Sequence, residues 1–148
     1  MVSKINESLV HRFFDEVLNE GKLAIAAELV ASDSVDHGVS ILGASSGGEG
    51  IKRAIGAIRM AMPDLHFTVE DLLEREDKVV ARWTMSGTLT DELAGIKPTG
   101  KQVSVTGVAI YRVAQGKIVE SWGNWDALGM LMQLGVIPET AVPMSGLR

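Results

Sequence analysis

The chain has 148 residues, and its 14 Lys and Arg against 19 Asp and Glu give a formal net charge of −5. This length and an apolar content of 46% predict a single folded domain over residues 1–148. The lack of cysteine excludes disulfides and thiolate chemistry. The acidic balance, with no basic run, argues against a nucleic-acid or anionic-membrane partner. No segment is apolar for long enough to span a membrane and the first residues lack a signal-peptide core, so a cytoplasmic location is expected.

The first 62 residues predict helices. Apolar residues recur at helical spacing, and Gly21 and Pro63 are the expected stops of the first and third helix. The predicted helices are 5–18, 22–30 and 51–62. Residues 32–38 break the helical pattern, and the glycine- and serine-rich tract 43–50 is a loop by composition.

From Leu65 the apolar period changes from about 3.6 to 2, which is typical of strands. The predicted strands are 65–70, 79–89, 102–113 and 117–125. A last helix is predicted over 126–134, followed by a tail from about residue 138. Helices followed by antiparallel strands predict an α+β domain, in which a mostly antiparallel sheet bends around the helices and leaves a core or a pocket on its concave side.

Asp126 is the first candidate for chemistry because it stands in an unusually apolar setting, close to Trp122 and Trp125. A carboxylate in an apolar pocket can be tuned to act as a general acid or base. The alternative is a helix N-cap, whose carboxylate accepts backbone N–H groups and does no chemistry. The local pattern leaves both interpretations open.

The other candidates are one histidine and four aromatic residues. His37, in the segment Val-Asp-His-Gly at 35–38, could donate to a substrate oxygen or could be an ordinary loop histidine. The tyrosine at 111 could donate to a developing oxyanion. Apolar walls for a ligand are expected from aromatic side chains. These candidates for substrate binding are Phe14, Trp83, Tyr111 and Trp122.

Four segments carry a resemblance to a known family. They read GIKPTGK at 95–101, VTGVAIYRV at 105–113, GKIVESW at 116–122 and DALGMLMQLG at 126–135. Together they resemble the second half of the SnoaL-like polyketide cyclases, which belong to the nuclear-transport-factor-2-like (NTF2-like) superfamily. The resemblance implies a cone-shaped half-barrel with a deep pocket, commonly dimeric through its sheet. It also implies that Asp126 is the acid/base of an aldol closure and that His37 matches a histidine of the family.

The resulting expectation is a small protein that binds an apolar carbonyl compound and transfers protons without a cofactor or a metal. Asp126 is the expected base, and His37 or Tyr111 the group that stabilises the enolate oxygen. Two alternatives stay open: an epoxide-hydrolase-like reaction with Arg112 beside Asp126, and a binding module without catalysis. A homodimer is expected because Val108 and Ile110 alternate with inward residues and leave the convex sheet face partly apolar.

Overall fold

The computed structural model of the chain describes residues 4–38 and 47–141. The helices and strands, in chain order, are α1 (Ile5–Arg12), a π-helical stretch (Phe13–Asn19), a 3-10 turn (Leu23–Ile25), α2 (Ala26–Leu29), β1 (Val30–Asp36), α3 (Gly47–Ala61), β2 (His66–Arg75), β3 (Lys78–Thr88), β4 (Gln102–Ala114), β5 (Lys117–Trp125), α4 (Ala127–Gln133) and a 3-10 turn (Glu139–Ala141). In these ranges no helix is both long and apolar enough to cross a membrane.

The five strands form one sheet in the order β1-β5-β4-β3-β2. Strands β2 to β5 pair antiparallel, and β1 runs parallel to β5 at the edge. The sheet is mixed and is not closed into a barrel, and the early helices pack on its concave side. The predicted α+β architecture, with an NTF2-like half-barrel, is confirmed.

Strict alternation along β4 fixes which side of the sheet is the inside. Its odd-numbered residues from Val103 to Val113 are buried, whereas the even-numbered ones are exposed or half-buried. The inner residues meet the π-helical stretch, where Phe13, Phe14, Val17 and Leu18 are all buried. Spacings of four residues, from 13 to 17 and from 14 to 18, place these side chains on one face of the helical segment, towards the same core.

The largest difference from the sequence prediction is the edge strand β1, which lies where the helical pattern breaks. Its seven residues carry two aspartates and two serines, and only Val30 and Ser34 are buried. A strand that pairs on one side only, with little apolar content, gives almost no period-2 signal. The strand takes residue 30 from the predicted second helix, which is reduced to a 3-10 turn and one turn of α2.

The helix α3 begins at Gly47, four residues before the predicted start, so the second half of the glycine-rich tract is helical. A glycine at 48 fits there because the helix lies close to other backbone: a Cβ on Gly48 would be 3.1 Å from the Cα of Ala27. The first half of the tract, 43–46, and the end of the tail, 142–148, lie outside the described residues.

Candidate functional site

The concave side of the sheet encloses a cavity of two adjoining chambers, of about 240 and 170 Å³. The chambers adjoin each other, since eight residues line both: Phe13, Leu18, Asp36, Ile51, Phe67, Trp83, Tyr111 and Trp125. The first chamber extends along α3 towards α4. It is lined there by apolar side chains only: Ala54, Ile55, Ile58, Met62, Leu65, Met85, Leu93 and Met130. The second chamber extends along β5 and is lined further by Phe14, Gly38, Ala109, Ser121, Trp122, Gly123 and Asn124.

Three polar side chains lie side by side across neighbouring strands on the inner face of the sheet. The register pairs Asp36 of β1 with Ser121 of β5, and Ser121 with Tyr111 of β4. Adjacent strands are about 4.8 Å apart, so the three form one row about 10 Å long. This group, Asp36, Ser121 and Tyr111, is called the polar row below. All three residues line the second chamber.

Tyr111 contributes the most deeply placed polar group of the cavity. The residue is 9% exposed and has an edge-to-face contact with Phe13, at 5.9 Å between ring centroids. Burial, and next the negative charge of Asp36, raise the pKa of the Tyr111 phenol well above its usual range. The phenol therefore stays protonated and is a hydrogen-bond donor. The described residues supply no partner for its hydroxyl, which is not sealed off from the cavity.

Asp36 supplies the carboxylate of the polar row. One of its oxygens accepts the backbone N–H of Gly38 at 2.8 Å, which orients the side chain. The residue lines both chambers and is itself exposed, so the carboxylate lies where solvent still reaches the cavity. A carboxylate in this position can exchange protons with water and with a molecule bound inside.

His37 points to the opposite side of the sheet from Asp36, since side chains alternate along a strand. Its Nε2 shares a hydrogen bond with Glu120 Oε2 at 2.8 Å. Its ring stacks on Trp122, with 5.3 Å between the ring centroids and an interplanar angle of 13°. Glu120 also accepts Arg112 Nε at 3.0 Å. The hydrogen bond from His37, followed by that from Arg112, lowers the pKa of Glu120.

Asp126 has the geometry of an N-cap. Its Oδ1 accepts the backbone N–H of Gly129 at 2.9 Å at the start of α4, and the residue is exposed. It is not among the described residues that line either chamber. The N-cap, one of the two roles that the sequence allows for Asp126, is therefore observed. A role of Asp126 in proton transfer stays a prediction.

The aromatic candidates meet around the cavity. Trp83 lines both chambers and packs edge-on against Phe67 at 5.1 Å between centroids. Phe14 is almost fully buried and packs edge-on against Tyr111, with 6.2 Å between the ring centroids. Trp122 borders the second chamber while it stacks on His37. The structure thus brings Phe14, Trp83 and Tyr111 together, with Trp122 at the border, whereas Asp126 and His37 lie elsewhere.

Sequence reasoning missed three polar residues that line the cavity, Asp36, Ser121 and Asn124. Asp36 is the neighbour of the chosen histidine, and an assignment of residues 30–36 as a strand would have placed these two side chains on opposite faces. No cluster of three or more His, Asp or Glu side chains able to hold a metal ion occurs among the residues in the described ranges.

The architecture defines a class of protein: small NTF2-like domains in which a bent sheet and helices line a cavity. Within this class, the family model of the SnoaL-like polyketide cyclases matches residues 8–134. The chain therefore belongs to the SnoaL-like polyketide cyclase family.

Solved structures of similar proteins support the assignment. IdmH from Streptomyces antibioticus, described as a candidate polyketide cyclase, is 31% identical, with a TM-score of 0.76 over 88% of this chain and 98% of its own. TsrD from Streptomyces laurentii is 27% identical, with a TM-score of 0.81 over 93% of this chain and 99% of its own. A candidate polyketide cyclase from Bacillus cereus is 32% identical, with a TM-score of 0.76 over 90% and 82%. A search of curated proteins finds no match.

Proposed function

We propose that the chain binds a small apolar carbonyl compound in the two-chamber cavity and transfers protons at the carbon next to the carbonyl, without a cofactor. The observation that carries the proposal is the polar row. It combines a carboxylate and a protonated phenol in a cavity whose other walls are mostly apolar. A base and an oxyanion donor at one end of an apolar space are what enolate formation requires.

In the proposed reaction Asp36 removes a proton from the carbon next to the ligand carbonyl. The C–H bond breaks, the proton moves to the carboxylate, and the electron pair passes to the carbonyl oxygen. Tyr111 donates a hydrogen bond to this oxygen as its negative charge develops. In an isomerisation, Asp36 then returns the proton to another carbon of the conjugated enolate. In an aldol closure, the enolate carbon attacks a second carbonyl group, and the new alkoxide receives the proton from Asp36.

This assignment transfers the role of base from Asp126, which the family resemblance suggests, to Asp36. One carboxylate oxygen of Asp126 accepts the N–H that caps α4, and the residue is exposed, whereas Asp36 lines both chambers. The epoxide-hydrolase alternative receives no support from contacts, because Arg112 pairs with Glu120 on the outer face of the sheet. Enolate chemistry is the function that the geometry favours.

The test is the exchange of the protons next to the carbonyl of a model ketone, 1-tetralone, in D2O, followed by NMR with purified protein. Asp36→Asn keeps the shape but removes the base, and is expected to lower the protein-catalysed rate by about 10²- to 10⁴-fold. Tyr111→Phe removes the donor and is expected to cost about 10²- to 10³-fold. The matched control is Asp126→Asn, the same chemical change outside the cavity, with an expected rate within about twofold of the unmodified chain.

The outcomes separate the candidates. Loss of exchange in Asp126→Asn with full exchange in Asp36→Asn would return the role of base to Asp126. Binding of the ketone without exchange above the buffer rate would leave a binding module. A rate that falls with Asp36→Asn and Tyr111→Phe alone supports the proposed mechanism.

A further inference from the structure

Two glycines on the inner face of the sheet have opposite surroundings. A Cβ atom on Gly107 of β4 would lie 2.2 Å from Cζ2 of Trp83, because the indole ring occupies the space above this glycine. A Cβ atom on Gly123 of β5 would have no atom of the described residues within 4 Å. Gly107 therefore makes room for a side chain of the protein itself, whereas the space at Gly123 is not filled by the described part of the chain.

The space at Gly123 is part of the second chamber. The register pairs Gly123 with Ala109, and both residues line this chamber. Along β5 the inner neighbours of Gly123 are Ser121, in the polar row, and Trp125. Two small residues thus form a floor between the polar row on one side and the indole of Trp125 on the other.

Tyr111 places a hydrogen-bond donor in the wall of the same chamber. The residue is 9% exposed, and its hydroxyl has no hydrogen-bond partner among the described residues. Because this hydroxyl is not sealed off from the cavity, a molecule in the chamber can accept its hydrogen bond. The chamber floored by Gly123 is lined by the same tyrosine.

We propose that Gly123 determines ligand size: its missing side chain lets a ring-sized apolar branch of the ligand enter the second chamber beside Tyr111. The inference rests on the proposed function, since it takes the cavity to be the ligand site. A larger side chain at this position would take up part of the space of about 170 Å³ in the second chamber and leave less room for such a branch. The protein would then favour smaller ligands.

The experiment compares two ketones that differ by one ring, cyclohexanone and 4-phenylcyclohexanone, and measures the Kd of each by ligand-observed NMR titration. The unmodified chain is expected to bind the phenyl ketone roughly tenfold or more tightly than cyclohexanone, because the phenyl group is buried in the second chamber. Gly123→Leu should abolish this preference, to within about threefold, because the phenyl group loses its place in the second chamber. Gly123→Ala, which adds a single carbon, should give an intermediate preference.

The controls keep the failure of the inference separate from other failures. Thermal unfolding and near-UV circular dichroism of Gly123→Leu verify that the variant is folded, and Gly123→Ala gives the same reading with the smallest possible change. If Gly123→Leu is folded and prefers the phenyl ketone as strongly as the unmodified chain does, the role of Gly123 is wrong and the proposed function stands. If the unmodified chain binds neither ketone, the proposed function fails together with the inference.

Discussion

Gly107→Ala is expected to destabilise the protein through one steric conflict. The added methyl carbon would lie 2.2, 2.6 and 2.7 Å from Cζ2, Cε2 and Cη2 of Trp83. These distances are far below van der Waals contact, so the indole ring has to move. The ring is held by its edge-on contact with Phe67 at 5.1 Å, and movement therefore disturbs the packing of β2 against β3.

The magnitude follows from two opposing effects. Overpacking of a well-filled core costs about 1–3 kcal/mol. Replacement of glycine by alanine within a strand returns about 0.5–1 kcal/mol through the unfolded state. The free energy of unfolding should thus fall by about 1–2 kcal/mol, which for a domain of this size lowers Tm by about 3–6 °C.

The assay is urea and thermal unfolding of four chains: the unmodified protein, Gly107→Ala, Trp83→Leu and the double variant. With leucine at position 83 the conflict disappears, so Gly107→Ala should become neutral or slightly stabilising in that background. Gly123→Ala serves as the matched comparison, and it should raise the free energy of unfolding by about 0.5–1 kcal/mol. Equal losses from Gly107→Ala with tryptophan and with leucine at position 83 would refute the steric explanation.

Three further expectations concern the cap, the acid stability and the assembly. Asp126→Ala should lower the free energy of unfolding by about 1 kcal/mol, because the N–H of Gly129 loses its acceptor, while Asp126→Asn should change it by a few tenths at most. Thr88 donates to Asp64 from both its backbone N–H and its hydroxyl, which lowers the pKa of that carboxyl. This stabilisation is present above the pKa of Asp64 in the unfolded state and is lost as pH falls through its pKa in the folded state. In urea titrations, the difference in free energy of unfolding between the unmodified chain and Asp64→Asn should therefore shrink between about pH 5 and pH 3. Finally, sedimentation should detect a homodimer at micromolar concentration that Val108→Asp, on the convex face, dissociates, and a monomer of the unmodified chain would contradict this.

The strongly patterned part of the fold could be predicted from the sequence. The strand β5 has the predicted bounds, Lys117–Trp125, and the helix α4 begins right after its predicted cap at Asp126. These segments combine a clear apolar period with stop signals, and both features can be read from residues that are close together in the sequence. The strand β1 could not be predicted in the same way, because its pairing partner β5 is more than 80 residues further along the chain.

The candidate site could also be predicted only in part from the sequence. The apolar and aromatic character of the cavity, with Trp83, Tyr111 and Phe14 in its walls, follows from residue type and alternation. The choice of carboxylate does not, since Asp36 and Asp126 both stand beside aromatic or apolar neighbours in the sequence and only one of them lines the chambers.

The sequence by itself determined the family, the strands from β2 onward and the inward face of each long strand, because periodicity and capping act over a few residues. The tertiary structure alone decided which polar groups meet. The register of β1 on β5 turns Asp36 inward beside Ser121 and leaves His37 to pair with Glu120 outside. The tertiary structure also distinguishes Gly107, where the indole of Trp83 occupies the space above the glycine, from Gly123, where that space is part of the second chamber. Such differences depend on contacts between residues far apart in the chain, and no local pattern encodes them.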